Sequence, residues 1–178
     1  MKRLPALTLA LVFSLSLAAC GDNGGSASEA ASEESGVPTP SVANLQSVKL
    51  PDVLPDGWSA NEGSAAQQYQ KGTATLTVAD YPVSGATPQA YIDAALEQLG
   101  ETRDDFKLDG EVEDITADSA PGKTFTFEYG PSNARMKMQY IYIFAGSKAY
   151  CLMFGDSAGN FSSLKPDIET ILSGVTAE

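Results

Sequence analysis

The sequence predicts an α+β fold, in which an antiparallel β-sheet of about six strands has helices on both faces (an α/β/α sandwich). Three apolar segments with strand periodicity follow one another in the second half of the chain, and glycine-containing turns separate them. One segment with helical spacing precedes them and another follows. The middle strand segment is apolar on both faces towards its end. The sheet therefore needs a cover on each side, and the two helices supply it.

The chain begins with a basic and then apolar leader. Lys2 and Arg3 are followed by residues 4–19, which are almost wholly apolar and end in small side chains. In a helix these sixteen residues reach about 24 Å, which is less than the roughly 30 Å of a bilayer's hydrocarbon core. We therefore predict a secretory signal peptide over residues 1–19 rather than a membrane span.

Cys20 directly follows this leader. The run Leu17-Ala18-Ala19-Cys20 resembles the lipobox of bacterial lipoproteins. The resemblance implies cleavage after Ala19, a diacylglycerol on the Cys20 thiol, and an acyl chain such as palmitate on the new amine. Because several acyl chains hold a protein on a bilayer much more firmly than one, we expect a lipid-anchored protein on the extracytoplasmic side of a cell membrane. The sequence leaves open whether this membrane is an inner or an outer one.

Residues 20–43 are predicted to connect the anchor to the folded domain. Between residues 22 and 41, Val37 is the only large apolar side chain among Gly, Ser, Ala, Glu and Pro. Such a composition cannot bury enough surface to offset the chain entropy. We therefore expect a disordered tether, followed by one globular domain over residues 44–178.

The composition excludes several classes of function. The chain has 11 basic and 23 acidic residues and a formal net charge of −12, which argues against a nucleic-acid partner. It contains no histidine, so the commonest general base and metal ligand is missing. Once Cys20 is lipidated, Cys151 is the only remaining thiol, which excludes an internal disulfide. The apolar neighbours of Cys151 predict that it is buried.

The domain is predicted to begin with turns and a β-hairpin. The run Leu-Pro-Asp-Gly-Trp at 54–58 predicts a turn that brings Trp58 to the core. Residues 67–70 and 73–81 predict two strands joined by a turn, because apolar and smaller residues alternate along the second segment.

The first helix is predicted to begin at Thr87-Pro88, a capping hydroxyl followed by a proline in the first turn. We expect it to end at Gly100. One apolar face is formed by Ile92, Leu96 and Leu99.

The acidic residues 101–118 predict a loop and one or two short edge strands. Residues 109–114, Asp-Gly-Glu-Val-Glu-Asp, offer carboxylates of the kind that bind calcium. They lack the glycine at the sixth position and the distal glutamate of the twelve-residue calcium loop. We therefore predict a solvated, charged edge, which resists aggregation, and keep an ion site as the alternative.

Three strands are predicted at 123–129, 134–144 and 149–154, and the short turns between them give an antiparallel meander. A second helix follows, with apolar residues at helical spacing between Phe161 and Leu172 and a stop at Gly174.

Two segments match enzymatic patterns by spacing alone. Residues 117–124 end in Gly-Lys-Thr like a phosphate loop, but a strand follows where a helix is needed. Residues 162–165 have the Ser-x-x-Lys spacing of serine acylases, but a proline follows and the companion motifs are missing. We predict a β-turn and a helix start at these places, and no catalytic residue, cofactor or metal site.

Several segments together resemble the PsbP-like fold. The resemblance covers about residues 45–178, and its layout is nearest to that of bacterial lipoproteins of the LpqN and DcrB type. It implies a non-catalytic module that binds another protein at the cell envelope. The matching segments are Leu54–Trp58, the strand at 76–78, Tyr91-Ile92, the strand at 125–129, Tyr150–Leu152 and the closing helix.

A partner-binding face is predicted around the hairpin at 129–142, because methionine and tyrosine are enriched at interfaces. Two alternatives remain: a small-molecule or ion-binding envelope protein and, with less support, a small hydrolase. A well-formed cavity near Trp58 or Tyr91 favours the small-molecule binder, whereas a filled core favours protein binding. The predicted face consists of Tyr129, Met136, Met138 and Tyr140.

Overall fold

A computed structural model describes residues 47–62 and 67–178. The predicted signal peptide, Cys20 and the predicted tether lie outside the described residues. The strands are β1 (Val48–Lys49), β2 (Ser59–Ala60), β3 (Gln67–Lys71), β4 (Ala74–Pro82), β5 (Lys107–Ala117), β6 (Ala120–Tyr129), β7 (Met136–Ala145), β8 (Lys148–Ser157) and β9 (Thr176–Ala177). The helices are α1 (Pro88–Thr102) and α2 (Lys165–Ser173), and a 3₁₀ turn, Phe161–Leu164, precedes α2.

A seven-stranded antiparallel sheet has the spatial order β2-β3-β4-β8-β7-β6-β5. Strands β6, β7 and β8 form the predicted meander. β7 is an interior strand whose second half is buried on both faces. The α+β class and the antiparallel sheet are confirmed, with seven strands where the sequence predicted about six.

Alternating residues of the strands pack on opposite faces of this sheet, as the strand period of two requires. One face packs against α2 and the preceding turn, and the other packs against α1, so the prediction of helices on both faces is confirmed. The α2 face contains Leu76, Ile141, Ile143, Leu152, Phe154, Phe161, Leu164, Ile168 and Ile171. The α1 face contains Ile92, Leu99, Phe125, Phe127, Tyr140, Tyr142, Phe144 and Cys151.

Helix α1 begins as predicted but ends later. The hydroxyl of Thr87 accepts a hydrogen bond from the amide of Ala90 at 3.2 Å. Gly100 does not end the helix, which continues to Thr102 with Arg103 as its C-terminal cap. A glycine costs a helix about 1 kcal/mol relative to alanine, but it ends the helix only where the chain needs a left-handed residue. Here that residue is Asp105, with φ of 54°.

The acidic stretch contains one strand of eleven residues, β5, so the prediction of short strands was wrong, although β5 is an edge strand as expected. Its register shifts between Asp109 and Glu113, where Gly110 has φ of 89°. This bulge interrupts the alternation of apolar and polar residues, which hid the strand in the sequence. Lysines of β6 and of β7, the next strand but one, pair with its carboxylates: Lys123 with Asp114 and Lys137 with Asp109.

The two motif-like segments have the structures that the sequence predicted. Residues 117–124 contain the β5–β6 turn at Asp118-Ser119 and the start of β6. Residues 162–165 lie in the 3₁₀ turn and at the start of α2, with an exposed Lys165.

The N-terminal segment is fastened to the α2 side of the sheet. Trp58 reaches the core as predicted and packs edge-on against Phe154, with ring centroids 6.4 Å apart. Its indole nitrogen donates to a carboxylate oxygen of Asp167 at 2.9 Å, and Lys71 donates to the same oxygen at 2.7 Å. Strand β1 pairs with β9, and their residues pack on the α2 face.

Gly122 provides the first stability prediction, because no side chain fits where β6 meets its neighbours. A Cβ atom there would lie 2.5 Å from the carbonyl oxygen of Tyr142 and 2.9 Å from Cγ1 of Ile115. At Gly155 a Cβ atom would meet side chains alone: that of Met138, which can rotate aside, and Oγ1 of Thr75 at 3.3 Å. We expect Gly122→Ala to lower the free energy of unfolding in urea by roughly 2–3 kcal/mol, and the control Gly155→Ala by roughly 1 kcal/mol or less. Equal losses in the two variants would contradict this reading of the contacts.

Candidate functional site

A cleft of about 500 Å³ lies between α1 and the sheet. It opens to solvent beside exposed residues of the helix, and Tyr140 and Tyr142 on β7, with Met153 on β8, form its floor. It adjoins Tyr91, one of the two places where a cavity was expected to favour a small-molecule binder. Its lining residues are Tyr81, Tyr91, Ala94, Ala95, Gln98, Leu99, Thr102, Arg103, Tyr140, Tyr142 and Met153.

The cleft runs along one flank of α1, beside the stripe through which the helix packs on the sheet. That stripe contains Ile92, Leu96 and Leu99, whereas Ala94 and Ala95 on the flank are too short to fill the space above the floor. Tyr91 packs edge-on against Tyr142, at 5.7 Å between ring centroids. The space beside the middle of the helix therefore stays open.

A connected set of aromatic rings forms the floor and one end of the cleft. The rings of Phe127 and Tyr140 meet edge-on at 5.0 Å, and those of Phe125 and Tyr142 stack at 6.1 Å. Phe125 and Phe127 are fully buried beside the two tyrosines. Because interlocking rings of this kind are closely packed, the floor is preformed rather than assembled around a ligand.

Arg103 supplies a positive charge at the mouth of the cleft. Its guanidinium carbon lies 5.1 Å from the ring centroid of Tyr129, a cation–π contact. The guanidinium is also near the hydroxyl of Tyr140 and acts to lower the pKa of that phenol. Among the residues that the structure describes, no carboxylate lies within ion-pair distance of Arg103.

The ionisable groups of the floor remain protonated at neutral pH. Burial raises the pKa of Tyr140 to about 12, although the Arg103 guanidinium acts in the opposite direction. Burial also raises the pKa of Tyr142, and the neighbouring Cys151 acts in the same direction. Cys151 is itself buried, as predicted, and this burial raises its pKa to about 12. The floor therefore presents neutral hydroxyl groups, and the thiol buried behind them is neutral too, so the cleft offers neither a general base nor a thiolate nucleophile among these groups.

The four residues predicted as a partner-binding face lie on the α1 side of the sheet but have different surroundings. Tyr140 is buried and lines the cleft, while Tyr129 is half-buried under Arg103. Met138 lies over Gly155, and Met136 lines a second concavity of about 460 Å³ between the loops 132–135 and 157–159. The structure thus brings two of the four to the cleft or its mouth. Cys20, the predicted lipidation site, lies outside the described residues.

Sequence reasoning did not select Gln98, Arg103 or Met153 for the site. The sequence does indicate part of the side of α1 that lines the cleft. Along this side Tyr91, Ala95, Gln98 and Thr102 follow one another at helical spacing beside the buried stripe. Small and polar residues on such a stripe ordinarily indicate a solvated face, so the cleft that they border was not apparent.

Two further features were searched for in the described residues. Within 47–62 and 67–178, no group of three or more cysteine or acidic side chains is arranged to hold a metal ion. None of the helices in these ranges has the length and apolar character that crossing a bilayer requires.

The sheet order, with one helix on each face, defines a PsbP-like α+β fold, and solved structures confirm this prediction. Cyanobacterial PsbP (CyanoP) from Synechocystis superposes with a TM-score of 0.54 at 11% identity, over 80% of this chain and 98% of that one. LpqN of Mycobacterium tuberculosis, described as involved in cell envelope biogenesis, gives 0.54 at 12% identity, over 73% and 82%. A protein of unknown function from Pseudomonas aeruginosa gives 0.51 at 16% identity, over 72% and 81%.

No family model matches this chain, and no curated protein sequence does. At the identities of the structural neighbours, the likeness defines the fold alone.

Proposed function

We propose that this chain is a lipid-anchored protein of the cell envelope that acts by binding rather than by catalysis. The lipobox-like run ending at Cys20 supports the anchor and the extracytoplasmic location. The fold shared with LpqN, a protein of cell envelope biogenesis, is consistent with that location.

Binding is favoured over catalysis by the chemistry of the cleft. A hydrolase needs a base or an activated nucleophile whose pKa lies near the working pH. The phenol of Tyr140 and the thiol of Cys151 have their pKa values raised to about 12, away from that range. Protonated phenols that line a preformed space are suited to hydrogen bonding with a bound molecule.

The observation that carries the proposal is the cleft beside Tyr91. Its volume of about 500 Å³ falls in the range of small-molecule sites. It also has their usual composition, apolar and aromatic walls with a few polar groups. We therefore assign small-molecule binding to this cleft as the first candidate function.

Binding of another envelope protein is the second candidate, and the surface at Met136 favours it. Met136 is half-buried and borders the concavity of about 460 Å³. A methionine at such a rim can adapt its shape to a partner. This site and the cleft are lined by different residues, so the two candidates can be tested separately.

The methyl groups of the methionines provide the test. In a chain labelled with ¹³C-methyl methionine, we expect the neutral probe 2-naphthol to shift the Met153 signal and to leave Met136 in place, because only Met153 lines the cleft. Tyr91→Ala should weaken that response roughly tenfold by removing one aromatic wall. A response at Met136 alone would place the binding site in the second concavity, between the loops 132–135 and 157–159. No saturable response to the probe at either methionine would remove the case for small-molecule binding.

The same labelled chain tests the second candidate. A solubilised envelope fraction that broadens the Met136 signal, and does so less in a Tyr129→Ser variant, would support protein binding at the hairpin. An unchanged Met136 signal in the presence of that fraction would contradict it.

A further inference from the structure

The positive charge of Arg103 at the mouth of the cleft indicates the kind of ligand that the cleft can bind. The chain has 23 acidic residues against 11 basic ones, so most cations on its surface have carboxylates to pair with. Lys49, Lys71, Lys123, Arg135, Lys137 and Lys148 do so. Within the described part of the chain, Arg103, Lys107 and Lys165 have no carboxylate within ion-pair distance. Of these three cations Arg103 is the one that lines the cleft, and it lies over the ring of Tyr129.

The contacts of Arg103 also fix its position. The guanidinium lies over the ring of Tyr129 and is close enough to Tyr140 to act on the pKa of its phenol. A guanidinium has five N–H donors in a planar fork, which it can offer to a ligand from this position. A planar cation held in this way is suited to bidentate contact with a carboxylate.

The rest of the cleft selects for a flat, apolar body. The tyrosine rings of the wall and floor, with the thioether of Met153, provide surfaces against which an aromatic ring packs favourably. The short side chains of Ala94 and Ala95 leave room for such a ring beside the helix. The available space, about 500 Å³, admits one or two fused rings but not a folded peptide.

We infer that the cleft binds a small aromatic carboxylate, with its ring against the flank of α1 beside Tyr91, Tyr142 and Met153 and its carboxylate on the guanidinium of Arg103. This inference rests on the proposed function and adds the chemical class of the ligand. A cationic aromatic ligand is disfavoured, because Arg103 would repel it at the mouth.

Three naphthalenes that differ only in their charge provide the test: 2-naphthoate, 2-naphthamide and 2-(aminomethyl)naphthalene. We measure their affinities by calorimetry at low salt and the Met153 methyl shift by NMR. Because a hydrogen bond to a charged group is stronger than one to a neutral group, we expect naphthoate to bind roughly tenfold to a hundredfold more tightly than naphthamide. The aminomethyl compound should bind most weakly.

Substitution of Arg103 separates the contribution of its charge to ligand affinity from the contribution of the cleft's shape. Arg103→Gln should reduce naphthoate affinity to that of naphthamide and leave naphthamide affinity unchanged, whereas Arg103→Lys should keep part of the preference for the anion. Lys165→Gln is the matched control: it removes the same charge on α2, on the opposite face of the sheet, and should have no effect. Thermal melts of all three variants check that the fold is retained.

The outcomes distinguish this inference from the function on which it rests. If naphthoate and naphthamide bind equally and both shift Met153, the assignment of an anionic ligand is wrong and the cleft remains a binding site. Unchanged naphthoate affinity in a folded Arg103→Gln variant also overturns the assignment. If none of the three compounds shifts Met153, the ligand class and small-molecule binding both fail.

Discussion

Replacing Cys20 with serine is expected to abolish both lipid modification and removal of the first nineteen residues. The diacylglycerol is joined to the thiol in proteins with a lipobox, so a hydroxyl at this position leaves the chain unmodified and uncut. Each buried CH₂ group of an acyl chain contributes about 0.8 kcal/mol to membrane binding, and stable anchoring takes more than one chain. Loss of the lipid therefore removes stable anchoring rather than weakening it by degrees.

Intact-protein mass spectrometry of both the membrane and the soluble fraction is the decisive measurement. The unsubstituted chain should have the mass of residues 20–178 plus the lipid, and the Cys20→Ser variant should have the mass of the whole chain without lipid. Cys151→Ala is the matched control, because Cys151 is the only other cysteine and is buried in the folded domain, so its processing should be normal. A lipid-bearing, shortened Cys20→Ser variant would contradict the proposal. So would an unacylated native chain that keeps residues 1–19.

The start of the described domain and the cleft can each be assigned to a face of the sheet. The first described residues, Ser47 to Lys49, pair with the chain's C-terminal residues on the α2 face of the sheet. The cleft lies on the α1 face, on the other side of the same sheet. The first described residues and the cleft thus lie on opposite faces of the sheet.

Most of the fold could be predicted because the spacing of apolar residues within a short segment already indicates a strand or a helix. Strand β6 alternates, β7 and β8 are apolar runs of strand length between short turns, and both helices carry an apolar stripe. β5 was missed because the bulge at Gly110 shifts its alternation partway along the strand. The end of α1 was misplaced because glycine permits a helix end without requiring one.

The candidate site was harder to predict because it depends on what side chains leave empty. The cleft results from the small size of Ala94 and Ala95, and a short side chain on a helix ordinarily indicates only that nothing is packed there. Arg103 acquires its role from Tyr129 and Tyr140, which are distant in sequence and reach it only through the pairing of β6 with β7. Tyr129 and Tyr140 were identified from the sequence, but as part of an exposed patch rather than as the surroundings of a cation.

The buried side chains of Cys151 and Tyr140 predict that the domain loses stability in alkaline solution. Cys151 has its pKa raised from the ordinary 9.0 to about 12 in the folded chain, and Tyr140 from 10.0 to about 12. Below pH 9 both groups are protonated in the folded and the unfolded chain, so their contribution to stability is complete. Above pH 9 the unfolded chain releases these protons first, so the free energy of unfolding falls as pH rises towards 12. At 1.36 kcal/mol per pKa unit, Cys151 alone accounts for a loss on the order of 4 kcal/mol by pH 12.

Urea unfolding at pH 7, 9, 10 and 11 measures this effect, and its slope separates the thiol from the phenols. Between pH 9 and 10 the loss should be dominated by Cys151, and the tyrosines should add to it above pH 10 because their ordinary pKa values are higher. Cys151→Ala removes the titrating thiol at its buried position, so the variant should show little loss up to pH 10 and then follow the tyrosine part of the curve. The comparison uses slopes, so any constant cost of the substitution cancels. A native curve that stays flat to pH 11, or a Cys151→Ala curve parallel to it from pH 9, would show that this thiol is not held protonated by burial. The Cys151 thiol next to the cleft floor would then be able to ionise and act as a nucleophile. The main argument for binding over catalysis would no longer hold.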